Sequence, residues 1–165
     1  MRLVQTGDKA AFQVLFGRYR DPIWSFVRRR TNDSTAWSDI TQDVFFRVWR
    51  SAKTFRVEQA FRPWIYRIAN NIIRDRHRKH QRTIETQPLE DWSPGRFTDP
   101  IATTDLENAI AALPDTLREA FVLGAVQGLN HHEIAHALDI SPQNARARVS
   151  RARAQLRQLL TRGDQ

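Results

Sequence analysis

The stretch Phe61–Arg82, FRPWIYRIANNIIRDRHRKHQR, decides how the rest of the chain is read. Pro63 suits the first turn of a helix, where its missing N–H leaves no hydrogen bond unmade. Phe61, Trp64, Ile65, Ile68, Ala69 and Ile72 recur at helical spacing. At about 100° per residue they fill one arc, which points at a core. The opposite arc gathers Arg67, Asn70, Asn71, Arg74 and Arg78. Cations interleaved with amides can neutralise phosphates and also reach base edges. Taken alone, the same arc equally describes an ordinary amphipathic helix with a solvated basic face.

Composition narrows the choice. The chain has 165 residues, 41% hydrophobic and 27% charged, enough for one medium domain or two small ones. Its net charge of +8 favours a polyanionic partner, nucleic acid before an acidic protein or a membrane surface. There is no cysteine, which excludes disulfides and thiolate metal sites and fits a reducing cytoplasm. The start, MRLVQTGDKAAF, lacks a signal peptide's apolar stretch, and no run approaches about 18 apolar residues, which argues against secretion and against membrane spanning.

Outward from the central stretch, the pattern is helical on both sides. After a few residues expected to fray, Asp8 caps a helix through Tyr19 with Phe12, Leu15, Phe16 and Tyr19 on one stripe. Asp21-Pro22 is expected to end it, and a second helix carries Ile23, Trp24, Phe26 and Val27 into the basic run Arg28–Arg30. A third helix is expected from about Thr35 to Ala52, with Ile40, Val44, Phe45, Val48 and Trp49 inward and Asp39, Gln42, Asp43 and Arg47 outward. Lys53–Ala60 reads as a loop. Four helices rich in Trp and Phe can close a small core over 1–82. From Thr83 to Thr104 the periodicity stops; ETQPLEDWSPGRFTDP holds three of the seven prolines, and Trp92 and Phe97 are its only large apolar groups, so 83–104 is expected to be a flexible linker.

Helical spacing resumes over 105–165. Leu106, Ile110 and Leu113 precede Pro114, and Leu117, Phe121, Val122 and Ala125 are expected to face inward up to Gly128. Asn130 and Glu133 have capping-box spacing before a short helix with Ile134, Ala135 and Leu138. Asp139-Ile140-Ser141 forms a turn, with Ser141 as N-cap and Pro142 opening the last helix. There Ala145, Val149, Ala152, Leu156 and Leu159 face in, while Gln143, Asn144, Ala147, Ser150 and Arg151 face out, flanked by Arg146, Arg148 and Arg153. A short helix, a tight turn and a basic second helix form a helix-turn-helix signature; a helical hairpin with a solvated Arg face is the plainer alternative. His132-Glu133-Ile134-Ala135-His136 also spells H-E-x-x-H, a zinc-hydrolase pattern. After His136 only Asp139 and Asp164 could add a carboxylate side chain and no further His follows, so no metal site is assigned, and no other catalytic constellation is evident.

In order and spacing, GDKAAFQVLFGRYRDPIWSFVRR, SDITQDVFFRVWRSAKTF, FRPWIYRIANNIIRDRHRK and LPDTLREAFVLGAVQGLNHHEIAHALDISPQNARARVSRARAQL together resemble the bacterial sigma factors of the extracytoplasmic-function (ECF) group over nearly the whole chain. The resemblance implies an all-α fold of two small domains, domain two over 1–82 and domain four over 105–165, and a non-enzymatic cytoplasmic, nucleoid-associated protein without cofactors. Its implied partners are core RNA polymerase, through the β′ clamp and β flap, and promoter DNA; many relatives also bind an anti-sigma protein. Asp39, Gln42, Asp43 and Arg47 match the segment that docks on the clamp. Lys53, Arg56, Arg62, Trp64, Arg67, Asn70, Asn71, Arg74 and Arg78 match the region that reads the minus-ten element and holds an unstacked base. Gln143, Asn144, Arg146, Arg148, Ser150, Arg151 and Arg153 match the reader of the minus-thirty-five element.

One departure stands out. Where family members often carry D-A-E-D-L at the start of the clamp-binding helix, this chain has Ala36-Trp37-Ser38-Asp39-Ile40. Two readings follow. In the first, the charges have drifted away and Asp43 and the packing of Trp37 compensate. In the second, a regulatory kinase restores charge at Ser34, Thr35, Ser38 or Thr41, since a phosphate adds about −1.5 to −2. A stand-alone helix-turn-helix regulator is the alternative to the sigma reading, but it leaves the aromatic N-terminal half unexplained.

Overall fold

The computed structural model of the chain describes residues 1–31, 33–85 and 105–163, and every regular element among them is helical. The first long helix shows tertiary packing overriding a local signal. Asp8 caps it as expected, accepting from the Ala11 N–H at 3.0 Å. Pro22 does not end it: α2 is continuous over Lys9–Arg30. An interior proline costs about 3 kcal/mol. Both sides of it are anchored, with Ile23, Phe26 and Val27 fully buried after the proline and Phe12 and Leu15 packed on the core before it. The N-terminal residues are also ordered: α1 (Arg2–Gln5) buries Val4, and the Gln5 amide donates to the carbonyls of Ala52 and Phe55 at 3.1 and 2.6 Å.

A 3-10 turn, Ser34–Ala36, capped by Asp33, leads into α3 (Trp37–Ser51). Its inward set is as the spacing predicts, with Ile40, Val44, Phe45 and Val48 buried. A second 3-10 turn, Ala52–Thr54, opens the loop before α4 (Phe61–Glu85). That helix runs past Arg82, so the linker boundary expected at Thr83 falls within it. The rest of the expected linker, including Trp92 and Phe97, lies outside the described residues.

The second group is α5 (Asp105–Ala111), α6 (Asp115–Phe121), α7 (His131–Leu138) and α8 (Pro142–Gly163). After α6 the chain makes a π turn over Val122–Val126. The wider turn shifts the helical phase, and Ala125, expected inside, is exposed. Leu106, at the start of α5, is exposed as well. Gly128, at φ +68°, then reverses the chain in a backbone region where a side chain would be strained. The capping box opening α7 is complete: the Asn130 side chain accepts from the His132 and Glu133 N–H groups, and Glu133 accepts from the Asn130 N–H at 2.9 Å. Asp139 in the left-handed region closes α7, and the Ser141 hydroxyl accepts from the Asn144 N–H at 3.2 Å to start α8. The two groups pack on one another, α7 along α4 and α5 and α6 against α2.

Phe26 is fully buried and meets Tyr66 edge to face at 5.3 Å, with Tyr66 itself at the junction of the groups. Phe26→Ala is expected to lower unfolding free energy by about 3–5 kcal/mol, read by urea titration of the full chain.

Candidate nucleic-acid interface

The helix-turn-helix presents its second helix to solvent. Along α8, Ala145, Val149, Ala152 and Leu156 are buried, which leaves Gln143, Arg146, Ser150, Arg151 and Arg153 exposed. Beside the start of α7 this face forms a shallow groove of about 390 Å³ lined by His131, Arg146, Val149, Ser150, Arg153 and Arg157. Its three arginines suit a phosphate backbone. Asn144 and Arg148 behave differently: Asn144 accepts from Arg148 at 3.2 Å, and Arg148 reaches back to Glu119 at 3.0 Å. Glu133 of the H-E-x-x-H sequence is engaged in the capping box, and no group of three metal-ligating side chains occurs among the described residues.

The loop before α4 is held by aromatic packing. Phe55 is buried against Phe61 and Trp64, at 6.0 and 4.7 Å between ring centroids, and Tyr19 meets Phe61 at 5.0 Å. With Phe55 fixed, Lys53 and Arg56 point outward and Trp64 stays half-buried. Asn71 and Arg78 are exposed on α4, with Arg78 paired to Asp75 at 2.8 Å.

The other candidates on α4 face the second group of helices. Arg62 donates to the backbone carbonyls of Gln127 and Gly128. The Tyr66 hydroxyl donates to Gln127 Oε1 at 2.7 Å, and burial raises its phenol pKa more than Arg62 lowers it, so it remains a donor. Arg67 lies 3.5 Å from Asp139. Asn70 is 0% exposed, and neither of its amide atoms has a hydrogen-bond partner. Arg74 donates to both carboxylate oxygens of Glu119, at 2.9 and 3.1 Å.

Glu119 is the centre of this junction. It is 1% exposed and is bound by Arg74 of α4, Arg148 of α8 and the fully buried Arg30 of α2 at 3.4 Å. Arg30 also pairs with Asp115, and Arg28 and Arg29 hold Glu107 at 2.7 and 3.1 Å. Burial alone raises the Asp115 pKa, but the hydrogen bond and charge of Arg30, with Arg118 and His77, leave it below its ordinary value. Burial and the nearby charge of Arg30 lower the pKa of Arg118.

On α3, Asp39 and Gln42 are exposed, and Asp43 pairs with Arg47 at 3.2 Å. The same stripe carries Phe46, 58% exposed, with the Arg50 guanidinium 5.6 Å from its ring. Inward and outward assignment by hydrophobicity passes over such a residue; its spacing from Asp39, Gln42 and Asp43 is the signal that finds it. Trp37 packs edge to face on Trp24 at 5.6 Å, so it is tied into the fold. Ser34, Thr35 and Ser38 are exposed, whereas Thr41 is 6% exposed and its hydroxyl donates to the Trp37 carbonyl at 2.8 Å.

Two helical groups, one with an acidic-aromatic face and a basic helix and the other a helix-turn-helix, describe a transcription factor with more than one macromolecular surface. The chain matches Sigma-70 region 2 over residues 15–83 and Sigma-70 region 4 over residues 103–156. It is 30% identical to the ECF RNA polymerase sigma-E factor of Haemophilus influenzae across 91% of this chain and 87% of that protein. It is 33% identical to RNA polymerase sigma factor SigZ of Bacillus subtilis across 88% of this chain and 85% of that protein. Among solved structures, CnrH in complex with the cytosolic domain of CnrY shares 25% identity at a TM-score of 0.75, covering 97% of this chain and 94% of that one. The fold also resembles sigma factor RpoE of Bartonella quintana, solved with the anti-sigma factor NepR (TM-score 0.78, 21% identity, 92% and 97% covered). The chain belongs to the ECF group of RNA polymerase sigma factors. It therefore directs RNA polymerase to promoters and is not an enzyme, and the stand-alone regulator gives way to that role.

The lowered Asp115 pKa has a defined consequence. Its contribution to stability is complete above the ordinary value of 3.8 and is lost as pH falls through the lower native one. Urea midpoints measured downward from about pH 5 should therefore fall more steeply for the natural chain than for Asp115→Asn, with the gap between them closing in acid.

Proposed function

We propose that this sigma factor docks on the β′ clamp of core RNA polymerase through α3 and reads the minus-ten and minus-thirty-five elements through α4 and α8. In this reading Asp39, Gln42 and Asp43 supply charge complementary to a basic partner, with Arg47 beside them. Phe46 adds an apolar anchor within the polar rim, one of the aromatic residues enriched at interface cores. Lys53, Arg56, Arg62, Arg67, Arg74 and Arg78 follow the nontemplate strand as phosphate contacts, with Asn70 and Asn71 as amides able to hydrogen-bond an extruded base. Trp64, braced by Phe55 and Phe61, offers it an aromatic wall. Holding such a base out of the stack is how the protein would help melt DNA.

The observation that carries this reading is the exposed cationic row of α8, backed by a buried apolar face and fixed by caps at its turn. Gln143, Asn144, Arg146, Arg148, Ser150, Arg151 and Arg153 are assigned to the upstream element, with the β flap as a further docking place for this domain. An anti-sigma protein is a fitting regulator, because sigma factor RpoE of Bartonella quintana, which shares this fold, was solved with the anti-sigma factor NepR.

The direct test is reconstitution with core RNA polymerase: co-elution, and open complexes on a promoter library. Within the selected promoters, Arg151→Ala should cost about 1–3 kcal/mol at the upstream element only. A loss that is equal for every sequence would reassign Arg151 to phosphate.

The sparse acidic charge on α3 favours a second element of control. Ser34, Thr35 and Ser38 are exposed at the N-terminal end of α3, where a phosphate meets the positive end of the helix dipole. Thr41 is reached only if α3 opens. Ser38→Asp should tighten binding to core polymerase, and Phe46→Ala should weaken it by more than about 1 kcal/mol. Equal affinity of Ser38→Asp and the unmodified chain would leave drift of the charges as the account.

A further inference from the structure

The loop that carries Lys53 and Arg56 is held at its start by a side chain from a distant part of the sequence. Gln5 ends the short helix α1, and its primary amide offers two N–H groups. Gln5 Nε2 donates to the Ala52 carbonyl at 3.1 Å and to the Phe55 carbonyl at 2.6 Å. Those two carbonyls belong to the peptide groups that join Ala52 to Lys53 and Phe55 to Arg56. Each therefore directly precedes one of the two loop cations. Ala52 is also where α3 ends, and carbonyls at a helix end have lost their intrahelical donors. The Phe55 N–H supplies one donor to Ala52 at 3.2 Å, and Gln5 supplies a second. Phe55 itself, at φ −68° and ψ 126°, has the extended backbone by which the chain leaves the 3-10 turn for the loop.

Gln5 reaches this turn because α1 folds back on the domain. Gly7 adopts φ +86°, a region that other residues rarely enter. The Asp8 N–H and the Thr6 hydroxyl then both donate to the Leu3 carbonyl, at 3.1 and 2.8 Å, and close the reversal. Val4 is 3% exposed, so apolar packing fixes α1 in the place that local turn chemistry prepares for it.

Contacts to an extruded base need their donors within a fraction of an ångström of the productive position, and a loop reaches that precision only when other groups brace it. Phe55 braces this loop by ring contacts with Phe61 and Trp64, which resist displacement but are largely non-directional. The bonds from Gln5 are directional and orient two particular peptide groups. We infer that Gln5 is a positioning residue for minus-ten recognition: it sets the backbone from which Lys53 and Arg56 reach the nontemplate strand, without touching the strand itself. The inference rests on the role proposed above for that loop.

Two substitutions separate the amide from the rest of the side chain. Gln5→Met keeps its length and removes both donors. Gln5→Glu keeps its shape and sets a carboxylate against two carbonyl oxygens. In the free full-length chain, both should speed amide hydrogen exchange over Lys53–Ala60 and leave exchange in α8 unchanged. Gln13→Met, the same change at an exposed site on α2, should alter neither.

The functional readout is base discrimination by polymerase holoenzyme, measured on promoters selected from the library and on single-base variants of each element. A wrong base ordinarily costs a specific complex about 5- to 150-fold in affinity, and Gln5→Met should cut that penalty by about fivefold at the minus-ten bases. The penalty at the minus-thirty-five bases should stay intact, which general destabilisation of the chain would not produce. Unchanged discrimination at the minus-ten bases, or an equal loss at both elements, overturns the positioning role even if loop exchange has risen. Lys53→Ala and Arg56→Ala test the loop assignment separately. If both leave minus-ten binding unchanged, that assignment fails and the inference with it. If they weaken it while Gln5→Met keeps full discrimination, the inference alone is overturned.

Discussion

A buried carboxylate must be paired, and this structure is arranged around one that is. Glu119 projects from α6 into a space reached by Arg30 at the end of α2, Arg74 on α4 and Arg148 on α8. Three helices from different parts of the chain are held in position relative to α6 by one acidic group. Removing water from such a group is costly unless several charge-assisted hydrogen bonds replace it. Arg30 is equally constrained from the other side, since it is 0% exposed and its own charge is met by Glu119 and Asp115. Each member therefore depends on the others. The network specifies where the domains sit more than it adds stability, because a well-packed apolar cluster of similar volume can serve stability as well.

Around this polar centre the stabilising mass is aromatic. Phe12 on Trp49, Phe16 on Phe45, Tyr19 on Phe61 and Phe26 on Tyr66 join α2 to α3 and α4 by edge-to-face contacts. These fix the first domain and support the loop carrying Lys53 and Arg56, while Gln5 ties that loop to the N-terminus. A rigid base suits the proposed role of this element in splaying DNA, because contacts to an extruded base have to offset the loss of stacking.

The helices were legible in the sequence wherever their periodicity and caps agreed. The Asp8 cap, the Asn130–Glu133 box and the inward set of α3 all depend on residues a few positions apart, and local spacing specifies them. Continuity through Pro22 was not legible, because the packing that outweighs the proline comes from α3 and α4. The exposure of Ala125 was hidden for a similar reason: a π turn changes the phase without a residue type that marks it. For the candidate site, charge and spacing identified the outward face of α8 but not the partners of Arg62, Arg74 and Arg148. Those partners lie far along the chain, and an arginine that faces outward from its own helix can still be covered by another domain.

That last point bears on how a basic protein avoids indiscriminate binding. With a net charge of +8, the chain attracts any polyanion, and its arginines would engage duplex DNA of any sequence through phosphate alone. Tying Arg74 and Arg148 to Glu119 takes two cations out of that attraction while leaving Arg146, Arg151 and Arg153 exposed.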